Sequence, residues 1–87
     1  MRIRMAHLQT QGINFAVFAA DATMQTNSGR DDVLVSLTRK AQNAGFRVEK
    51  SALAFMQGGR ITYHGTPDLV QYLANNGVAH WTHELDV

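Results

Sequence analysis

The chain of 87 residues has no cysteine, a single proline and no long hydrophobic run. The lack of cysteine excludes disulfides, thiolate nucleophiles and cysteine zinc sites, and it gives no sign of an oxidising compartment, so we expect a cytoplasmic protein. The longest apolar run, residues 15–20, is far shorter than the roughly 20 residues that span a bilayer. No signal-peptide core follows the basic start, and we expect no membrane association.

The chain also lacks a strong net charge: its formal net charge at pH 7 is +1. Composition alone therefore predicts no general attraction to nucleic acid or to a membrane. The charge is unevenly distributed, however. Residues 39–60 carry five basic residues and one acidic residue, whereas residues 61–87 carry three acidic residues and no lysine or arginine. The basic segment is typical either of a local patch or of solvated helix and strand ends.

The length predicts one α+β domain over residues 1–87, since so short a chain buries only about 60 to 65% of its unfolded surface. A core of this size supplies little net stability without a disulfide or a metal site. Self-association is a common way for such a domain to gain stability. We therefore expect a homo-oligomer, with a dimer as the simplest form.

The second half contains a clear helix signature. Thr66 is placed to cap a helix, Pro67 suits its first position, and Asp68 complements its dipole. An apolar stripe follows. Gly77 predicts the end of the helix, with Val78 positioned to contact the last turn.

An earlier segment repeats this pattern. Apolar residues recur at helical spacing at Val33, Leu34, Leu37, Ala41 and Ala44. Asn43-Ala44-Gly45-Phe46 predicts the end of this helix, as Asn75-Asn76-Gly77-Val78 does for the other. Two starts fit the sequence: Ser28 as a cap with Asp31 three residues later, or Asp31 or Asp32 in the first turn.

Strands are predicted in the remaining segments. Residues 13–20 are apolar on both alternating faces, which indicates a central strand. Residues 46–57 and 60–64 flank Gly58-Gly59, a sequence typical of a tight hairpin turn. Residues 78–87 alternate so that Trp81, His83 and Leu85 share one face. Residues 2–10 form either a fifth strand beside 13–20 or an extension of that strand.

The order of these elements is typical of the split βαβ, ferredoxin-like fold. We therefore expect a two-layer α+β sandwich, with two helices on one face of a four- or five-stranded antiparallel sheet. The prediction rests on element order alone, and such folds host many functions.

The predicted hairpin carries large apolar side chains on both faces. If Gln57 pairs with Arg60, the alternation places one set of large apolar side chains on each face. These sets are Met56, Ile61 and Tyr63 on one face and Leu53 and Phe55 on the other. Helices on one face alone would leave one of these two sets exposed to solvent. We therefore predict a homodimer with the interface residues Leu53, Phe55, Tyr63, Trp81 and His83. A longer amino-terminal segment that covers this face is the alternative.

Nucleic-acid binding is a second hypothesis. Asn27-Ser28-Gly29-Arg30 precedes a helix, where free amides and a positive charge favour anions, but it lacks the spacing of a phosphate-binding loop. Phosphate contacts would come from the residues of the basic segment together with this arginine. The candidates are Arg30, Arg39, Lys40, Arg47, Lys50 and Arg60.

A small dimeric enzyme is a third hypothesis, with His64 or His83 as an acid or base in an interface cleft. His80 and His83 would point to opposite faces of a strand and make a poor metal pair. Asp21, Asp31 and Asp32 are candidate magnesium ligands at the carboxyl end of the sheet. Helix-start electrostatics accounts for Asp31 and Asp32, and loop solubility accounts for Asp21, so we expect no metal and no cofactor. The sequence favours a non-enzymatic interaction or accessory protein that acts as a homo-oligomer and contacts protein partners.

Overall fold

The computed structural model describes residues 2–20 and 29–87. These residues form an α+β fold with a mixed sheet and a helix on each side of it. The strands and helices are β1 (Arg2–Thr10), β2 (Ile13–Ala19), α1 (Arg30–Asn43), β3 (Lys50–Gln57), β4 (Arg60–Gly65), α2 (Pro67–Asn76) and β5 (His83–Asp86). Neither α1 nor α2 is long and apolar enough to cross a membrane, and the described ranges contain no other helix.

The sheet has the strand order β4-β3-β2-β1-β5. Residues 2–10 are the fifth strand that the sequence allowed, and they pair with β2 through a hairpin turn at Gln11 and Gly12. β2 and β3 run parallel, whereas the other neighbouring pairs are antiparallel. The expectation of a fully antiparallel sheet is therefore wrong. The reason is that α1 acts as a crossover that returns β3 beside β2 in the same direction.

This strand order differs from that of the ferredoxin-like sandwich. In a split βαβ unit, another strand separates the two strands that the helix connects. Here those two strands are direct neighbours, with Phe18 opposite Leu53. The chain contains an unsplit βαβ unit, extended by β1 and β5 on one side and by β4 on the other.

The two helices lie on opposite faces of the sheet. α1 packs over Met5, Phe18, Leu53 and Phe55, whereas α2 packs over alternating residues that point the other way, including Phe15, Val17 and Ala52. The expectation of both helices on one face is therefore wrong. The structure has three layers, because β2 and β3 are apolar on both faces and each face needs cover.

The helix ends follow the sequence signals. At the end of α1, the Phe46 amide donates to the Ala41 carbonyl and the Gly45 amide donates to the Gln42 carbonyl, which is the Schellman pattern. At the end of α2, the Gly77 amide donates to the carbonyl of Leu73. Both predicted stops are confirmed.

The helix starts differ in detail from expectation. α2 begins at Pro67 after Thr66, as predicted, but the Thr66 hydroxyl donates to the Asp68 carboxylate instead of capping a backbone group. α1 follows Gly29. Ser28, the predicted cap, lies outside the described residues.

The β3–β4 hairpin has the predicted register, with Gln57 opposite Arg60 and Ala54 opposite Tyr63. β3 begins at Lys50, four residues later than expected. The last strand also begins later, at His83. Since the chain enters the sheet only there, Trp81 packs beside the α2 layer while Leu85 points to the α1 layer. The prediction that these two side chains share a face is wrong.

Candidate functional site

The hairpin of β3 and β4 carries an apolar surface that the helices leave open. Met56 and Ile61 lie opposite one another on the α2 face, and their exposed fractions are 53% and 54%. Tyr63 follows on the same face of β4 and is half-buried. Burial raises the pKa of its phenol, because the ionised form would lose hydration. We call Met56, Ile61 and Tyr63 the hairpin surface.

A shallow cleft of about 130 Å³ continues this surface across the sheet. Its floor is formed by small residues, including Ala19 and Ala54, and Trp81 stands at its far side. The guanidinium carbon of Arg4 lies 5.6 Å from the centre of the Trp81 ring, within the range of a cation–π contact. The apolar surface therefore extends from the edge strand β4 towards Trp81.

The outer side of β4 is an open sheet edge. β4 stands first in the strand order and has β3 as its one neighbour within the described residues. An edge strand presents backbone N–H and C=O groups that another strand can pair with. β4 offers six residues, Arg60–Gly65, for such pairing.

The opposite edge, β5, has a different character. It is four residues long, and Arg2 of β1 binds the carboxylates of Glu84 and Asp86 at 3.1 and 3.2 Å. The hydrogen bond that Arg2 donates to Glu84 is the largest of the effects that raise the pKa of Arg2. A short, charged edge of this kind discourages the addition of a further strand.

The structure does not bring the five predicted interface residues onto one surface. Leu53 and Phe55 are fully or almost fully buried beneath α1, with 0% and 4% exposure. They were predicted as interface residues because one sheet face was expected to lack cover, and this chain covers that face itself. Tyr63 belongs to the hairpin surface, and Trp81 lies at the far side of the adjoining cleft.

His83 lies away from the hairpin surface, on the edge strand β5. Its ring centre is 4.7 Å from that of Phe46 in an edge-on arrangement, and its Nδ1 lies 2.7 Å from the Thr82 hydroxyl. Sequence reasoning grouped Met56, Ile61 and Tyr63 as one of two sets that could face solvent, but it named only Tyr63 of this set as an interface residue. The available signal was their position beside the Gly58-Gly59 turn, where a hairpin extends beyond its covering helix.

The six candidate anion-binding residues are also spread over the fold. Arg30 is 6% exposed, and its guanidinium carbon lies 4.0 Å from the centre of the Phe55 ring. Arg39, Lys40 and Arg47 are exposed on or just after the second half of α1. Arg60 lies opposite Gln57 at the turn end of the hairpin. This end of the hairpin is about 23 Å from the start of β3 at Lys50.

Lys50, the remaining member, forms an ion pair with Asp68 at the start of α2. The hydrogen bond from Lys50 is the main reason that the pKa of Asp68 falls to about 2, with further contributions from the Thr66 hydroxyl and the Leu69 amide. The negative charge of Asp68 offsets the positive charge that Lys50 would offer to an anion. The structure therefore does not gather the basic residues into one patch.

Another cleft, of about 610 Å³, lies between α1 and the start of α2. Within it, the hydroxyls of Thr38 and Ser51 are 2.6 Å apart. At its edge, Glu49 accepts a hydrogen bond from the Asn14 amide, which lowers the pKa of Glu49. A third cleft, about 310 Å³, separates α2 from the β1–β2 turn. These clefts are open, and their described lining contains no histidine.

His64, the other candidate acid or base, forms a contact between layers. Its Nε2 lies 2.6 Å from a carboxylate oxygen of Asp31, which joins β4 to the first turn of α1. Residues 2–20 and 29–87 contain no group of three or more histidine, aspartate or glutamate side chains arranged to hold a metal ion. Asp21, considered in the sequence as a third acid beside Asp31 and Asp32, lies outside these ranges.

Comparison of the chain with family models, with curated proteins and with solved structures gave no match. Function is therefore inferred from the geometry of this chain. The hairpin surface and the open edge of β4 are adjacent, and together they form a candidate contact surface.

Proposed function

We propose that this chain is a small, non-enzymatic interaction protein that acts as a homo-oligomer and associates through its hairpin surface. The supporting observation is the exposed pair Met56 and Ile61, which lie opposite one another beside an open sheet edge. Burying a large apolar side chain contributes about 1.5 to 3 kcal/mol. Exposed apolar pairs of this kind are typical of contact surfaces.

A second copy of the chain is the partner that best suits this surface. In a two-fold dimer, each copy offers the same surface, so apolar side chains of the two copies meet at the axis. The net charge of +1 generates little repulsion between identical copies. The absence of cysteine from the sequence fits the reducing cytoplasm, where we place the protein.

Sedimentation velocity from low to high micromolar concentration tests this proposal. We expect the native chain to sediment as a dimer at high concentration. Ile61→Asp should shift it to the monomer, because a carboxylate would have to be desolvated at the interface. Val35→Asp is the matched control, since Val35 is 57% exposed on α1 and lies outside the hairpin surface. A native monomer throughout this range would contradict the proposal.

A further inference from the structure

We propose that β4 of one copy pairs antiparallel with β4 of a second copy, around a two-fold axis that passes through Thr62. The inference rests on the proposed self-association and specifies its geometry. The open edge of β4 would then be satisfied by backbone hydrogen bonds, and the two sheets would form one continuous sheet.

The two-fold symmetry restricts the register. Residues directly opposite in an antiparallel pair point to the same face of the sheet. With the axis normal to the sheet, each odd-numbered residue of β4 must therefore oppose an odd-numbered one. Centring the axis on Thr62 places Ile61 opposite the partner's Tyr63 and Arg60 opposite the partner's His64.

On the α2 face, this register covers the most exposed apolar residue of β4. Ile61, which is 54% exposed, contacts the ring of the partner's Tyr63. The symmetry repeats the contact on the other side of the axis. Aromatic and β-branched side chains are favourable cross-strand neighbours. The same contact completes the burial of Tyr63, which is only half-buried in the single chain.

On the α1 face, the register makes the charges complementary. His64 holds the carboxylate of Asp31 beside β4, with 2.6 Å between Nε2 and the oxygen. The Asp31 side chain is 88% exposed and accessible to a further positive group. Arg60, opposite the partner's His64, brings its guanidinium to the partner's Asp31. This ion pair also forms twice.

The two neighbouring permitted registers are less favourable. An axis through Ile61 would pair Ile61 with its own copy, but it would place Tyr63 opposite the partner's Gly59 and Arg60 opposite the partner's Thr62, away from Asp31. An axis through Tyr63 would place Ile61 opposite the partner's Gly65, which has no side chain to cover it. Arg60 would then oppose the partner's Thr66, beyond the end of the strand and farther from Asp31. The axis through Thr62 provides both the apolar and the ionic contacts.

The cysteine-free sequence allows a direct test of this geometry. Thr62→Cys places two thiols opposite one another, at a Cα separation of about 4.5 to 5.5 Å that permits a disulfide. Mild oxidation should yield a disulfide-linked dimer, and a reductant should convert it back to monomers. Tyr63→Cys is the register control, because its two copies lie diagonally at about 7 to 8 Å and should form little cross-link.

Charge reversal tests the ionic contact. Arg60→Glu and Asp31→Arg should each raise the dimer dissociation constant about tenfold, and the double variant should recover most of the native affinity. Circular dichroism would establish that each variant is folded. A double variant no tighter than either single one would overturn the contact between Arg60 and Asp31.

The two proposals fail in different ways. A native chain that dimerises in sedimentation without cross-linking at Thr62→Cys would overturn the β4 pairing and leave self-association standing. Efficient cross-linking at Tyr63→Cys in place of Thr62→Cys would overturn the register. A native chain that is monomeric would overturn both proposals.

Discussion

The side chains of Met56 and Ile61 lie directly opposite one another across β3 and β4, and each is more than half exposed. They share the α2 face with Ala54 and Tyr63, but α2 buries its own apolar residues nearer the other end of the strands, against Ala52. The hairpin thus extends beyond the cover that its helix provides. Its outer end is the part of the sheet where apolar side chains meet water.

Leu53 provides the first test of the division between core and surface. Leu53→Ala should lower the free energy of unfolding by about 2 to 5 kcal/mol, because it leaves a cavity beneath α1. Met56→Ala, on the same strand, should change the free energy of unfolding by no more than about 0.5 kcal/mol. Urea denaturation in an Ile61→Asp background measures folding without the contribution of association. Equal effects of the two substitutions would contradict the assigned core.

Asp68 predicts a specific pH dependence of stability. Its pKa is about 2 in the folded chain against an ordinary value of 3.8, so the unfolded chain binds the proton more tightly. The stabilisation is therefore present above pH 3.8 and is lost as the pH falls towards about 2. Asp68→Asn should make the stability curve shallower in this window.

The control for this prediction is Asp32→Asn, which removes the same charge from the first turn of the other helix. Urea denaturation across the acidic range compares the variants. If Asp68→Asn loses stability with pH as steeply as the native chain does, the ion pair with Lys50 is not its source.

Lys50 should control the titration of Asp68 directly. The hydrogen bond from Lys50 is the largest cause of the lowered pKa, so Lys50→Met should raise the pKa of the Asp68 carboxyl. The hydrogen bonds from the Thr66 hydroxyl and the Leu69 amide should keep it below its ordinary value. A side-chain carboxyl NMR titration measures this shift, and an unchanged midpoint would exclude the ion pair in solution.

Gly65 should be sensitive to any side chain because β3 and β4 approach closely there. An added Cβ would lie 2.9 Å from the Ser51 carbonyl oxygen, and Gly65→Ala should destabilise the fold by about 1 to 3 kcal/mol. Thermal unfolding in the Ile61→Asp background measures this effect.

Gly59 separates this steric effect from a backbone effect. It has open space around it but a φ of +78°, so Gly59→Ala should cost about 1 to 2 kcal/mol through backbone conformation alone. Asparagine tolerates this region and should recover part of the loss at Gly59. At Gly65 asparagine should recover nothing, and recovery there would contradict the steric explanation.

Local structure was largely predictable from the sequence. The Gly45 and Gly77 stops, the Pro67 start and the Gln57–Arg60 pairing all depend on residues within one turn of one another. Such signals act over a few residues, and no distant contact is needed to interpret them.

The arrangement of layers was not predictable in the same way. Apolar residues on both faces of β2 and β3 require cover on both faces, but alternation does not distinguish a helix of the same chain from a second chain. This is why Leu53 and Phe55 were assigned to an interface although α1 covers them. Trp81 was misplaced because strand alternation was extended to residue 78, whereas pairing with β1 begins at His83.

The two edges of the sheet differ in a way that determines how many copies can assemble. Edge pairing that left a second receptive edge would continue into a filament. Here the far edge is the four-residue β5, where Arg2 holds Glu84 and Asp86 against β1. Once β4 is paired, the combined sheet ends in a charged β5 on both sides. In the proposed dimer, growth by strand addition would therefore stop at two copies, and the apolar hairpin would be protected from open-ended aggregation.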